Sequence, residues 1–159
     1  EKFYVYQRDE QISVFRDLML LLSTSGSTGS PKLVKLSRSN VYSNSKSIMN
    51  YLPITEEDVC LLNLQISYSY RMSILNTHLL SNSTIYLSNE GFLSKELWRM
   101  IATLQVNSLA GVPEMIKMLK LAKIDNRLEI LTNLKYVTQA GGKLDIAHRA
   151  YFNELFTKP

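Results

Sequence analysis

From Ser39 onward, strand-length apolar runs alternate with helical stretches of about ten residues, and this alternation restricts the possible fold more than any other feature of the chain. Ser39 is positioned to cap a helix running through Ile48 and Met49 towards Tyr51, which Pro53 then stops. Expected strands at Val59 to Leu64, Thr84 to Leu87, Ser108 to Ala110 and Leu134 to Thr138 then alternate with helices. Those helices are expected at Met72 to Leu80, Ser94 to Leu104, Pro113 to Ala122 and Asp145 to Phe156. Strands joined through helices pair in parallel by right-handed crossovers. The expected class is therefore α/β, a partial layered sheet, mostly parallel, with helices on both faces. Ligands of such sheets gather at loops beyond the carboxyl ends of the strands. Three segments occupy such positions: a Ser/Thr/Gly cluster from Ser23, the tyrosine segment Ile66 to Tyr70, and the pair Gly141 and Gly142.

With 159 residues, 45% of them hydrophobic and 20% charged, the chain can bury one conventional core. No apolar run reaches the roughly 18 residues of a membrane span, and Glu1, Lys2, Arg8 and Asp9 do not have a signal peptide's layout. The expected compartment is the cytoplasm, without membrane attachment. Cys60, the single cysteine, excludes an internal disulfide and a cysteine-cluster metal site and reads as a small buried hydrophobe. The net charge of +4 comes from scattered lysines and arginines rather than from a basic run interleaved with aromatics. That pattern argues against nucleic acid and is compatible with a small anion such as a nucleotide polyphosphate.

The cluster reads STSGSTGSPK from Ser23 to Lys32 and lies between two expected strands, Leu18 to Leu22 and Lys32 to Leu36. Gly26 and Gly29 let backbone N–H groups approach phosphate oxygens, the hydroxyls add donors that can also face magnesium, and Lys32 supplies a positive charge. The spacing is not that of a Walker loop, since the lysine stands three residues after Gly29 and follows Pro31. The rival reading is a serine-rich connector of purely structural meaning.

Together with three segments further along the chain, STSGSTGSPKLVKLS resembles the adenylate-forming superfamily of acyl-CoA synthetases, peptide-synthetase adenylation domains and luciferases, standing at its phosphate loop. Leu33 stands where members of that family usually have glycine. ISYSYRMSILNTHLLSNSTIYL at 66 to 87 resembles the family's segment bordering the carboxylate pocket. SLAGVPEMIKML at 108 to 119 resembles its strand and Val-Pro-led helix, and LKYVTQAGGKL at 134 to 144 its strand and glycine turn beside the adenosine and acyl group.

The resemblance implies that Thr24, Ser25, Gly26, Ser27, Thr28, Gly29 and Lys32 hold the β- and γ-phosphates of ATP, with Thr28 and Lys32 in the catalytic role. A carboxylate would attack the α-phosphate to give acyl-adenylate and pyrophosphate, with magnesium as a further cofactor, before transfer to the thiol of CoA or a phosphopantetheine carrier. Tyr68 and Tyr70 would border the acyl pocket, while Gly141 and Gly142 would let adenosine and acyl group pass close to the backbone. Their rival readings are half-buried packing for the tyrosines and a plain turn for the glycines.

Other polar residues carry blander expectations. Arg71 replaces the family's small residue and could meet a second carboxylate, fill the pocket or point to solvent, the last being commonest for arginine. His78 is expected to be a packed or capping histidine without ligand partners, and His148 a surface one; Glu56, Glu57 and Asp58 read as a solvated turn. No protein metal site is expected.

The family's Tyr-Gly-x-Thr-Glu motif, ribose-binding aspartate and mobile lid with a second lysine have no counterpart in the chain. Residues 1–38 would then be the strands around the phosphate loop, and 39–159 a helix–strand unit bordering the acyl pocket. The chain reads as a fragment that is inactive alone and able to self-associate through its cut face. The alternatives are a non-catalytic nucleotide- or acyl-binding module of the same fold, or an α/β interaction domain.

Overall fold

The computed structural model describes residues 13–23, 32–63, 68–121 and 132–157. β1 (Leu18–Ser23) and β2 (Leu33–Ser37) form an antiparallel pair in which Ser23 is the register partner of Leu33. The segment between them is too short for a crossover, and so only antiparallel pairing is open to them. Along β1, Leu18, Leu20 and Leu22 turn inward while Met19, Leu21 and Ser23 are exposed, as the two-residue pleat requires.

The chain passes directly into α1 (Arg38–Tyr51). Its cap is Ser37 rather than the expected Ser39: Ser37 Oγ accepts from the Asn40 backbone N–H at 3.1 Å, and Asn40 Oδ1 accepts from the Ser37 N–H at 3.0 Å. This reciprocal pair satisfies two N–H groups at the helix start, and it outcompetes Ser39, which sits in the first turn.

Next come β3 (Val59–Leu62), α2 (Ser69–Leu80), β4 (Thr84–Leu87), α3 (Lys95–Thr103), β5 (Ser108–Gly111), α4 (Pro113–Leu121), β6 (Tyr136–Gln139) and α5 (Ile146–Thr157). The four strands form one sheet in the order β4-β3-β5-β6, every neighbour parallel. The expected α/β class and alternation therefore hold. α2 begins three residues earlier than its apolar pattern indicates, and β6 begins at Tyr136 rather than Leu134. Leu64 and Ala122, expected at the ends of a strand and a helix, lie outside the described residues.

Ser94 caps α3 as expected, accepting from the Glu96 N–H at 3.2 Å. Asp145 caps α5 in the same way, accepting from the His148 N–H at 2.9 Å. The core runs through Leu61, Leu97, Trp98, Ile101, Val106 and Leu109. Trp98 packs edge-on to Phe92 with ring centroids 6.2 Å apart, and its indole N–H donates to the Phe92 carbonyl at 2.8 Å. α1 packs on α2, and α2 lies against β3 and β4. Among the described residues no helix is long and apolar enough to cross a membrane.

Candidate functional site

Two adjoining cavities open where α1 and α2 cover the sheet. The outer one, about 670 Å³, lies between the inner face of the β1–β2 pair and the turn after β6. It is lined by Leu20, Leu22 and Leu36 on one side and by Tyr68, Tyr70 and Gly141 on the other. The inner one, about 470 Å³, runs beneath α2 along the sheet. Asn44, Tyr70, Ser73 and Ala140 line both, so they form the shared wall.

The inner chamber exists because small side chains face it. Alternation puts Cys60, Ser108 and Tyr136 in one cross-strand row of the sheet, with Ala110 and Thr138 in the next. All five line the chamber. The intervening residues Leu61 and Val137 do not line it and pack in the core, to which Cys60 and Ala110 also belong. Cys60 is 1% exposed, in keeping with its expected role as a small hydrophobe, and burial pushes its thiol up to about 11. It stays protonated and unreactive at neutral pH.

Tyr70 is half-buried, and its hydroxyl lies 2.7 Å from Thr138 Oγ1. Burial raises the phenol above its ordinary value, outweighing that hydrogen bond. Tyr68, by contrast, is 58% exposed at the rim of the outer cavity. Gly141 has a backbone φ of +88°, which favours glycine, and a Cβ there would lie 3.5 Å from Val112 Cγ1. Gly142 is drawn still closer to its neighbour, since a Cβ would meet Pro113 Cγ at 3.2 Å. The glycine turn thus fits tightly over the start of α4, and Gly141, unlike Gly142, lines the outer cavity.

The strand register brings the two ends of the Ser/Thr/Gly loop together at Ser23 and Leu33, with Lys32 exposed at the foot of β2. Thr24, Ser25, Gly26, Ser27, Thr28 and Gly29 lie outside the described residues. Among the described residues no three His, Cys, Asp or Glu side chains group as metal ligands.

Asp58 and His148 differ from expectation, and Arg71, left open by the sequence, is placed by the structure. Glu56 and Glu57 are exposed, but Asp58 is 1% exposed. Its carboxylate accepts from the Thr55 N–H at 3.1 Å, pairs with Lys135 Nζ at 3.1 Å and accepts from Tyr136 OH at 3.4 Å. A carboxylate with three donors can leave water, and the cross-sheet partners lie too far along the chain for sequence spacing to reveal. Arg71 does not point to solvent: it is 9% exposed, lines neither cavity, and its Nε has no partner among the described residues. His148 is half-buried rather than superficial, because its ring turns back to the capping Asp145 at 2.6 Å. Asp145 is thereby held below the usual carboxylate range, first by the His148 N–H and then by the imidazole. His78 is the packed histidine expected, 4% exposed, with Nδ1 2.9 Å from the Ile74 carbonyl and Nε2 3.2 Å from Ser108 Oγ.

Sequence reasoning does not find Ser73, Ser108, Tyr136 or Thr138 as cavity residues. The available signal is the two-residue alternation of small and polar side chains along the fifth and sixth strands. It gains meaning only when the strands lie side by side.

The fold agrees with comparisons to known proteins. The chain is 27% identical over 104 residues to the nonribosomal peptide synthetase GRA1 of Gibberella zeae, a match covering 65% of this chain and 1% of that protein. Its fold superposes on VinN in complex with L-aspartate with a TM-score of 0.77 at 21% identity, covering 93% of this chain and 37% of VinN. The ATP-bound RpMatB-BxBclM chimera gives a TM-score of 0.73 at 23% identity, covering 90% of this chain and 28% of the chimera. The chain therefore spans about a third of the solved proteins it resembles. The family model of AMP-binding enzymes matches residues 5–159, nearly the whole sequence, and the chain belongs to that family.

Proposed function

We propose that the protein containing this chain activates a carboxylic acid with ATP, forming acyl-adenylate and pyrophosphate, and then passes the acyl group to the thiol of CoA or a phosphopantetheine carrier. The observation that carries this reading is the convergence of three distant segments, represented by Tyr68 and Tyr70, Val112, and Gly141, on one cavity. The L-aspartate and ATP of the solved relatives support the same substrate classes.

On this reading the inner chamber receives the acyl chain, Tyr70 orients the carboxylate end, and Gly141 lets the adenosine lie close to the backbone. Gly141 suits that role because a side chain there would project towards the outer cavity's wall. Thr24 to Gly29 and Lys32 would hold the β- and γ-phosphates, Thr28 and Lys32 acting on the leaving pyrophosphate. In-line displacement at phosphorus asks for alignment and positioned donors more than for a protein nucleophile. Magnesium would supply charge neutralisation at the phosphates, held by those oxygens and the loop hydroxyls.

The test is ATP–pyrophosphate exchange by the full-length protein over a panel of carboxylic acids. Acid-dependent exchange that Lys32→Ala lowers at least a hundredfold supports the reading. Nucleotide binding without exchange for any acid would replace it by a non-catalytic module of the same fold. The 159-residue chain alone is expected to show no exchange.

A further inference from the structure

The inner chamber carries polar atoms deep along the sheet, where an alkyl chain would need none. Tyr136 lies four residues before the shared-wall residue Ala140, about 13 Å of strand. Beside it are His78 Nε2 and Ser108 Oγ, and all three residues line the chamber. His78 Nδ1 is 2.9 Å from the Ile74 carbonyl, which can only accept. Nδ1 therefore carries the proton of the neutral ring, and Nε2 is an acceptor. The Tyr136 hydroxyl is 3.4 Å from Nε2 and 3.4 Å from Asp58 Oδ2. One phenolic proton is shared between two acceptors, and its contact with Asp58 lies beyond the roughly 3.0 Å limit of a good O–H···O bond.

Charge narrows the choice of occupant. Burial holds His78 below its ordinary value and Tyr136 above its own, so both are uncharged near neutral pH. None of the residues lining the chamber is a lysine or arginine. The nearest carboxylate, Asp58, is already paired with Lys135. A terminal carboxylate would find no cation there, and an ammonium would find only a committed anion. A plain hydrocarbon end would bury Tyr136, His78 and Ser108 against apolar surface without improving their long contacts.

Resting on the reading that this chamber receives the acyl chain, we propose that the acid it selects carries an uncharged hydroxyl at the end remote from its carboxylate, as a hydroxyaryl acid does. That hydroxyl accepts from Tyr136 and donates to Ser108 Oγ, whose own hydroxyl donates to His78 Nε2 at 3.2 Å. A ring and short linker fit within the 470 Å³ of the chamber.

The experiment compares 3-(4-hydroxyphenyl)propanoate, 3-phenylpropanoate and 3-(4-carboxyphenyl)propanoate with the full-length protein, by pyrophosphate exchange and by calorimetric binding. Preference for the hydroxy acid over both others by about tenfold, with the ratio collapsing in Tyr136→Phe, is the expected result. Ser108→Ala, which removes a smaller group, shifts the ratio in the same direction and guards against a folding defect in the first variant. Equal or better use of either other acid, or an unchanged ratio in both variants, overturns the proposal. Binding that prefers the hydroxy acid without any exchange supports the hydroxyl site while sinking acid activation. Absence of any preference in binding sinks the site itself.

Discussion

The Tyr70 hydroxyl lies 2.7 Å from Thr138 Oγ1, joining the first turn of α2 to β6 across 68 residues of sequence. This contact is part of the wall between the two cavities, since Tyr70 borders both and Thr138 the inner one. Tyr70→Phe and Thr138→Val should each lower stability by about 0.5–1.5 kcal/mol. Because they share one bond, the double variant should cost about 1 kcal/mol less than the sum. Urea unfolding of the four proteins measures this, and strict additivity would remove the bond from the wall.

Asp58 is the hub of the network beneath that wall. Asp58→Ala strands the Thr55 N–H and leaves Lys135 only the Pro53 carbonyl, and it should cost about 2–3 kcal/mol. Lys135→Ala should cost less, because the lysine side chain is 36% exposed and its partner retains the Thr55 N–H. Equal midpoints for the two variants in urea would contradict the buried placement.

His78 makes stability depend on pH. Burial is the largest influence and lowers its pKa below the ordinary 6.5, against opposing effects of the Ile74 carbonyl and Asp58. The unfolded chain therefore binds a proton at a higher pH than the folded one. The contribution is complete above pH 6.5 and is lost as pH falls from there through the lower folded value. Unfolding midpoints at pH 7.5 and 5.5 should differ in that direction, and His78→Gln should shrink the difference. A steeper dependence in the variant would refute the assignment.

Gly141 should resist substitution. With φ at +88°, Gly141→Ala is strained whatever the space around it, at a cost of about 1–2 kcal/mol. The new methyl would also stand 3.5 Å from Val112 Cγ1 at the rim of the outer cavity. Thermal unfolding reads the loss; a variant as stable as the parent would mean that the turn relaxes to another backbone conformation.

The outer face of the β1–β2 pair leaves Met19, Leu21 and Leu33 between 48% and 56% exposed. With this apolar face the isolated 159-residue chain is expected to self-associate. Light scattering should show mass rising with concentration, and Leu21→Lys with Leu33→Lys should return it towards the monomer. A clean monomer for the parent chain at high concentration would count against the idea.

Much of the fold is legible from local chemistry. Ser94 and Asp145 announce two helices because a cap is a contact between residues two or three apart. Thr84 to Leu87 reads correctly as a strand because its signal is an apolar run beyond a turn. Ser37 escapes notice as a cap since Ser39 offers the same chemistry two residues later, and only the reciprocal bond with Asn40 separates them. Asp58 is misjudged from sequence, and Arg71 left undecided, because burial of a charge is decided by what packs around it.

Periodicity, caps and motifs act over a few residues, and they suffice for the α/β class, the order of the elements and the kinship with AMP-binding enzymes. They also single out Tyr68, Tyr70 and Gly141, which do meet at one cavity. Packing in three dimensions was needed to show that a second chamber lies behind Tyr70 and that Tyr136, His78 and Ser108 stand together within it. Those residues come from three elements and meet only through the register of parallel strands and the packing of α2, relationships that no local pattern encodes.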